Sequence, residues 1–396
     1  PQLYAQEAAR GETVTSRARP DYDAVGIRAG SFLFFPTLDI SETYNDNIFA
    51  TQTNTDHDLI TRFQPNFALR SDWNNHLLDI NVGGDVGRYL RSDSENYEDF
   101  NAAINGIVDV RRDTTIELAA SYDSLHEDRG SPDAVSGVSP TEYTRTNLQL
   151  GGSNKWNRVS LDVGLATVIE DYDDVALASG TLTNNDDRDR TKYSATARLG
   201  YEIIPQYEAF VSTTYNTIDY DSAVDDNAFN RDSDGYEVTV GTKIEFSGVL
   251  FGNVFVGYRS QDYDDTRLET IDGPTVGADL SWNITSLTTI KGGISRIVEE
   301  TTQTGASGYF NTRADISVDH ELLRNVLVGG DVAITNQKYR GNGREDDQYE
   351  AGAYAKYLIN RNFAVSANYD FLRKNSNAAL SSYTQNVFMV KLTTQY

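Results

Sequence analysis

The chain has 396 residues, a formal charge of −25 and no cysteine. That charge excludes nucleic acid as a partner, which needs a basic surface to release counterions; the missing cysteine excludes disulfides and thiolate metal sites. No run reaches the ~20 consecutive apolar residues of a membrane helix, which leaves a soluble all-β protein or a membrane β-barrel, whose alternation hides its hydrophobicity from an average.

The chain opens "PQLYAQEAARGETV", with neither the basic nor the apolar stretch of a secretion leader, and is read as a mature N-terminus. Residues 1–30 do not alternate. Charge, glycine and proline mix in "RGETVTSRARPDYDAVGIRAG", so this segment is expected to be periplasmic, either free or folded into a barrel mouth as a partial plug. Residues 31–396 are expected to be the barrel itself.

From Ser31 onward apolar and polar residues alternate. In "LLDINVGGDV" Leu78, Ile80, Val82 and Val86 share one face, and Asp79, Asn81 and Asp85 the other. In "TTIELAASY" Ile116, Leu118, Ala120 and Tyr122 oppose Glu117, Ser121 and Asp123. The last segment, "VFMVKLTTQY", sets Phe388, Val390, Leu392 and Tyr396 against Lys391, Thr393 and Gln395. Period two over this length means strand.

Short breaks recur at Asn74-Asn75, Arg112-Asp113, Trp156-Asn157, Ile204-Pro205, Ser247-Gly248, Thr285-Ser286, Arg324-Asn325 and Asn360-Arg361. Between them lie longer, acidic stretches at about 46–56, 92–96, 127–140, 173–189, 221–232, 264–272, 301–307, 340–347 and 374–381. Eight short turns alternating with nine long loops predict eighteen strands of about 13–16 residues, with both termini on the short-turn side. Such strands exceed the ~9–11 residues that cross a bilayer at a tilt, so they project beyond it.

This pattern predicts a closed antiparallel up-and-down transmembrane β-barrel with short periplasmic turns and long acidic external loops. Closure is required, because an open edge in hydrocarbon leaves unpaired backbone groups at several kcal/mol each. The terminal Tyr396 on the apolar face resembles the C-terminal signature of barrels handled by outer-membrane assembly machinery. A soluble β-propeller is the rival, since blades repeat near ~40–45 residues, but blade strands are shorter and do not require turns and loops to alternate in length.

Motifs of catalysis are missing: no phosphate loop, no paired histidines on a helix, no nucleophile elbow. His57, His76, His126 and His320 are scattered, and His126 near Asp123 and Asp128 is the only candidate set. No enzymatic activity is expected. Asp221, Asp225 and Asp226 in "DYDSAVDDN", like "TNNDDRDR" at Thr183–Arg190, supply oxygen ligands of the kind calcium prefers, without the spacing of a calcium loop. Calcium or magnesium is therefore expected only at outer loops and against lipopolysaccharide, with no other cofactor. "NIT" at Asn283 is read as coincidence rather than a glycosylation site.

With the apolar face toward lipid, the lumen carries both signs. Its acids are Asp79, Asp85, Asp109, Glu117, Asp162, Asp279, Asp315 and Asp331. Its bases are Arg62, Arg70, Arg145, Arg198, Lys243, Arg259, Lys291, Arg313 and Lys391. Such a wall suits a hydrated conduit for polar solutes. Tyrosines recur at strand ends before long loops, as in "EDYDD" at Glu170. Tyr44, Tyr89, Tyr122, Tyr172, Tyr220, Tyr263, Tyr339 and Tyr369 are accordingly expected to form an outer aromatic girdle. Returning strands begin with Tyr97, Tyr143, Tyr193, Tyr236, Tyr309, Tyr349 and Tyr383.

"RARPDYDAVGIRAGSFLFFPTLDISETYNDNIFAT", Arg17 to Thr51, resembles the opening of the β-barrel porin family often found with exopolysaccharide-export systems. The matching residues are Arg19-Pro20, Tyr22-Asp23, Gly26, Gly30-Ser31-Phe32, Pro36 and Tyr44-Asn45-Asp46-Asn47, then Pro65 and Ser71-Asp72-Trp73. The resemblance implies an outer-membrane conduit for a secreted polysaccharide, in contact with lipid, lipopolysaccharide and periplasmic export components. It carries no catalytic residues. Two other functions stay open: a general diffusion porin, and a non-conducting barrel that anchors a surface layer.

Overall fold

The computed structural model describes residues 11–246 and 248–396. Residues 1–10 of the expected N-terminal segment and Ser247 of one expected turn lie outside them. Alternating sequence becomes eighteen long strands. The first six are β1 (Phe32–Asn45), β2 (Asp58–Ser71), β3 (Leu77–Tyr89), β4 (Tyr97–Arg111), β5 (Thr114–His126) and β6 (Glu142–Trp156). Next come β7 (Val159–Tyr172), β8 (Arg190–Ile204), β9 (Tyr207–Tyr220), β10 (Ser233–Phe246), β11 (Leu250–Tyr263) and β12 (Ile271–Thr285). The last are β13 (Thr288–Glu300), β14 (Gly308–Leu323), β15 (Val326–Tyr339), β16 (Glu345–Leu358), β17 (Phe363–Ser376) and β18 (Tyr383–Gln395).

Every strand runs antiparallel to its sequence neighbours, and β1 pairs with β18 from Thr37↔Gln395 to Asn45↔Val387. The sheet is therefore a closed barrel. At the short-turn end, one-residue register shifts fall at Asp109/Arg111, Glu202/Ile204, Asn283/Thr285 and Glu321/Leu323. These bulges add local right-handed twist next to the turns. Asn157 (φ 56°) and Gln206 (φ 76°) take the left-handed conformation that such tight turns demand.

One face of the wall is an apolar belt turned outward. The register aligns Leu150 with Leu165, Leu165 with Ala195, Ala195 with Tyr215, and Tyr215 with Tyr236. Leu150, Leu165, Tyr215 and Tyr236 are all exposed. A continuous apolar belt far exceeds the few hundred Å² that soluble monomers tolerate, so hydrocarbon is its proper surroundings. Inside, close approaches rely on glycine: a Cβ on Gly87 would stand 2.2 Å from the Tyr97 ring.

Residues 11–30 lie in the short-turn mouth. Ile27–Ala29 pairs with the start of β1, and the N–H of the buried Val14 donates to Thr289 Oγ1 (2.8 Å). Arg19 reaches Glu321 (2.9 Å), Arg361 Nε donates to the Pro20 carbonyl (2.8 Å), and Gln395 Nε2 to that of Tyr22 (3.1 Å). This segment thus crosses from the β16–β18 side of the mouth to the β12–β14 side.

The wall has one seam. Toward the long loops β12–β13 pairing stops at Gly277↔Ser295, whereas β13–β14 pairing continues to Glu300↔Gly308. Ile271–Val276 are left without a β13 partner, and Thr275 Oγ1 reaches across the gap, donating to the Arg296 carbonyl (3.0 Å). Ile271 of β12 and Phe310 of β14 are buried there.

Parity gives a direct test. Leu165 is exposed on the outer face midway along β7, and Ala166 faces inward. Leu165→Arg should destabilise the barrel in lipid vesicles by about 2–4 kcal/mol, and Ala166→Arg by far less, as read from denaturant midpoints.

Candidate functional site

The inward face of the strands converts sequence alternation into a lumen wall of fixed charges. Arg62, Asp109, Glu117, Arg145, Asp162, Arg198, Lys243, Arg259, Asp279, Arg313, Asp315, Asp331 and Lys391 alternate with the exposed apolar residues of their strands, Asp79 and Asp85 lie on a strand without an exposed large apolar residue, and Lys291 shares its parity with the exposed Ile297. Most of the bases meet an acid on a neighbouring strand. Arg62 pairs with Asp85, Arg70 with Asp79 (2.9 Å), Arg198 with Glu208 (2.9 Å) and Arg259 with Glu237. Lys291 meets Asp319 (3.2 Å), Lys391 meets Asp39 (2.9 Å), and Arg313 holds Glu350 through two hydrogen bonds (2.7 and 2.8 Å) while Asp315 lies 3.8 Å away. Arg145 and Arg190 both grip Glu170. Asp109 accepts the His76 backbone N–H (2.9 Å). Among the described residues Glu117, Asp162, Asp279 and Asp331 make no ion pair, and neither does Lys243.

The long-loop mouth is where distant parts of the chain meet. The third long loop, residues 127–141, lies across it. Arg129 clasps Glu95 of the preceding loop (2.6 and 2.8 Å), and Arg188 clasps Glu127 (2.6 and 3.1 Å). Further along, Thr301 Oγ1 donates to Asp133 (2.6 Å) and Gln303 Nε2 to the Pro132 carbonyl (2.7 Å), which ties the loop to the β13–β14 connection. Gly130 sits against Tyr383 and Ala50 on the other flank. A polar cavity of about 230 Å³ remains beneath, lined in part by Arg145, Arg188, Arg190, Glu299, Tyr143 and Tyr309. Beside it Arg231, fully buried, is held by Asp225 (2.7 Å) and by the carbonyls of Thr301 and Ala306.

The family described as "Putative beta-barrel porin 2" matches residues 19–396. The chain belongs to that porin family. It is an outer-membrane β-barrel and not an enzyme. Among solved structures it is similar to Pseudomonas aeruginosa OpdK with vanillate, at 12% identity over 92% of this chain and 99% of that one, with a TM-score of 0.47. It is similar also to P. aeruginosa OccK3 (OpdO), at 12% identity over 92% and 95%, TM-score 0.46. The siderophore receptor PirA of P. aeruginosa is 8% identical over 96% and 81%, TM-score 0.48. No curated protein matches.

The porin's tyrosines divide differently from the expected girdle. Tyr44 and Tyr122 are exposed on the outer face, and Tyr369 stands there against Phe388 (ring centroids 4.6 Å). Tyr89, Tyr172, Tyr220, Tyr263 and Tyr339 instead face inward, and Tyr172, Tyr220 and Tyr339 are buried in the mouth. Tyr172 stacks on Tyr143 (5.0 Å) beneath Arg188, Tyr339 stacks on Tyr309 (4.7 Å), and Tyr263 donates to Glu300 (3.2 Å). The reason is parity: Val163, Leu165 and Ile169 face out, so Tyr172 cannot. Exposed outer tyrosines come largely from other positions, namely Tyr193, Tyr215, Tyr236, Tyr258 and Tyr349.

Of the expected calcium ligands, Asp225 is taken up by Arg231 and by the backbone N–H groups of Asn227 and Phe229 (2.8 and 2.9 Å). No group of three His, Cys, Asp or Glu that could hold a metal occurs among the described residues. His126 binds Asp99 (2.9 Å) and stacks on Tyr97 (3.8 Å), rather than approaching Asp123 or Asp128.

Asp189, at the end of the 173–189 loop, has its carboxyl pushed up to about 6 by burial, and the charges of Asp171, Asp186 and Asp221 add to this. The Tyr172 N–H that it accepts (2.7 Å) opposes the rise. A raised carboxyl favours the folded loop when protonated, so its contribution is full below the ordinary carboxylate range and is lost as pH rises through about 6. Hydrogen exchange in this loop, corrected for intrinsic rate, should slow as pH falls from neutrality toward 4, and Asp189→Asn should flatten that dependence.

Proposed function

We propose that this porin is a passive, hydrated conduit for small polar solutes, with the 127–141 loop as its constriction. One observation carries the reading: a two-signed inner wall leads to a mouth crossed by a loop fastened at several points. A wall of charged and hydrogen-bonding groups lets solutes keep a hydration shell, and a loop held by desolvated ion pairs sets the passable width. The field inside favours cations. Bases of the wall are largely neutralised by neighbouring acids, while Glu117, Asp162, Asp279 and Asp331 keep uncompensated charge.

Export of a polysaccharide, which the sequence resemblance implies, requires the crossing loop to lift. A non-conducting, surface-anchoring barrel requires the path to be shut. Single-channel recording in planar bilayers separates the three. Steady conductance is expected, with a reversal potential in a KCl gradient that reports preference for K⁺ over Cl⁻. Only small neutral polymers should enter and reduce the current. Arg129→Gln should loosen the loop and raise conductance, with the barrel intact by its gel shift between unheated and boiled samples. Entry of large polymers into the unmodified protein would favour export, and silence of a folded barrel would sink any conduit.

A further inference from the structure

The outer rim of this barrel is acidic along most of its circumference, with Glu98, Asp171, Asp219, Asp234 and Asp262 at outward positions near the long loops. At the seam three cations gather among such acids. The register sets Ile294, Ala314, Ile334 and Tyr349 in one outward row. One row further out, Arg296 stands opposite Thr312, and in the row beyond, Lys338 stands opposite Phe310. Arg340 follows, its N–H bonded to the Gly308 carbonyl (2.9 Å). Arg296 and Arg340 flank the same Phe310 ring, their guanidinium carbons 4.1 and 6.0 Å from its centroid.

None of these three cations makes an ion pair among the described residues. Arg340 Nη2 reaches only a backbone carbonyl, that of Asp272 (3.3 Å). The flanking acids are engaged elsewhere: Asp272 accepts Tyr258 Oη–H, and Glu345 and Asp347 accept Asn336 Nδ2 (3.0 and 2.9 Å). Arg296 Nε and Thr312 Oγ1 are buried without a partner. Uncompensated cations and orphaned polar atoms beside an apolar belt are costly unless an anion completes them.

We infer that the outward side of the β12–β13 seam binds a phosphate group of an outer-leaflet lipid headgroup, held by Arg296, Arg340 and Lys338. The position fits. Arg296 lies one step beyond the row that ends in the exposed Tyr349, at the depth where an aromatic belt marks the headgroups. The acyl chains of such a lipid would lie down the apolar face below Ile294 and Ile334. Guanidinium groups hold phosphate oxygens through paired hydrogen bonds, and Lys338, exposed, adds a point charge. A free anion would gain the same contacts without the apolar ones, so the membrane lipid is the committed occupant. The inference does not depend on whether the lumen conducts.

The test uses the full chain in detergent, with binding of a bis-phosphorylated acyl-glucosamine lipid read by native mass spectrometry and thermal shift. The unmodified protein should bind it and melt higher. The dephosphorylated lipid and inorganic phosphate should each bind at least tenfold more weakly. Arg296→Gln with Arg340→Gln should weaken binding at least tenfold, and Lys338→Gln less. Arg373→Gln removes an exposed outward cation elsewhere on the rim and should leave binding unchanged. Variants are compared only where the unheated sample still migrates as a folded barrel, and Lys338→Gln keeps the test open if the double variant does not fold. Equal losses for Arg373→Gln and Lys338→Gln would overturn the site in favour of a diffuse charge effect. Equal binding of inorganic phosphate, or of the dephosphorylated lipid, would overturn the lipid phosphate as its ligand.

Discussion

Everything in this molecule follows from the rule that backbone N–H and C=O groups cannot be left unpaired in hydrocarbon. The pairing of Thr37–Asn45 with Val387–Gln395 answers that rule for the two strands that would otherwise be edges. Side-chain alternation then has only one arrangement, apolar residues to lipid and polar residues to the lumen. The one interruption, at Ile271–Val276, obeys the same rule by its location. It opens only at the long-loop end, where Thr275 and Arg340 partly bridge the exposed backbone and water can serve the rest.

The ion pairs of the lumen and those of the mouth do different work. Lumen pairs such as Arg70–Asp79 are partly hydrated, and exposed pairs contribute only ~0–1 kcal/mol to stability. Their effect is on the field along the path. In the mouth, Arg231–Asp225 and Arg188–Glu127 are removed from water on both sides. Removing one partner of such a pair leaves a buried charge and costs about 3–5 kcal/mol. The mouth is thus held by buried ion pairs, though it is built of loops.

Strand number and turn positions were legible in the sequence, because each depends on a repeat of period two and on where that repeat breaks. The girdle tyrosines show the limit of reading by position alone. Tyr172 and Tyr220 stand at strand ends, as a girdle would, but the parity of Ile169 and Tyr215, both exposed, turns them inward. That signal was in the sequence and outranks proximity to a loop. The crossing loop had no such signal. Thr301 meets Asp133 across 168 residues, and Arg188 meets Glu127 across 61. In acidic loops without periodicity, nothing local says which carboxylate a given arginine will find.

The seam and the crossing loop share one support. Thr301 of the 301–307 loop holds Asp133, and the carbonyls of Thr301 and Ala306 hold Arg231. Ser307 of the same loop receives the Glu269 N–H on its hydroxyl (2.7 Å) and donates its own N–H to the Arg340 carbonyl (2.9 Å). Asp133 in turn lies within electrostatic reach of Arg188, Arg344 and Lys374, on two sides of the mouth. An ordered 301–307 loop thus fixes the crossing loop from one end and Arg340 from the other.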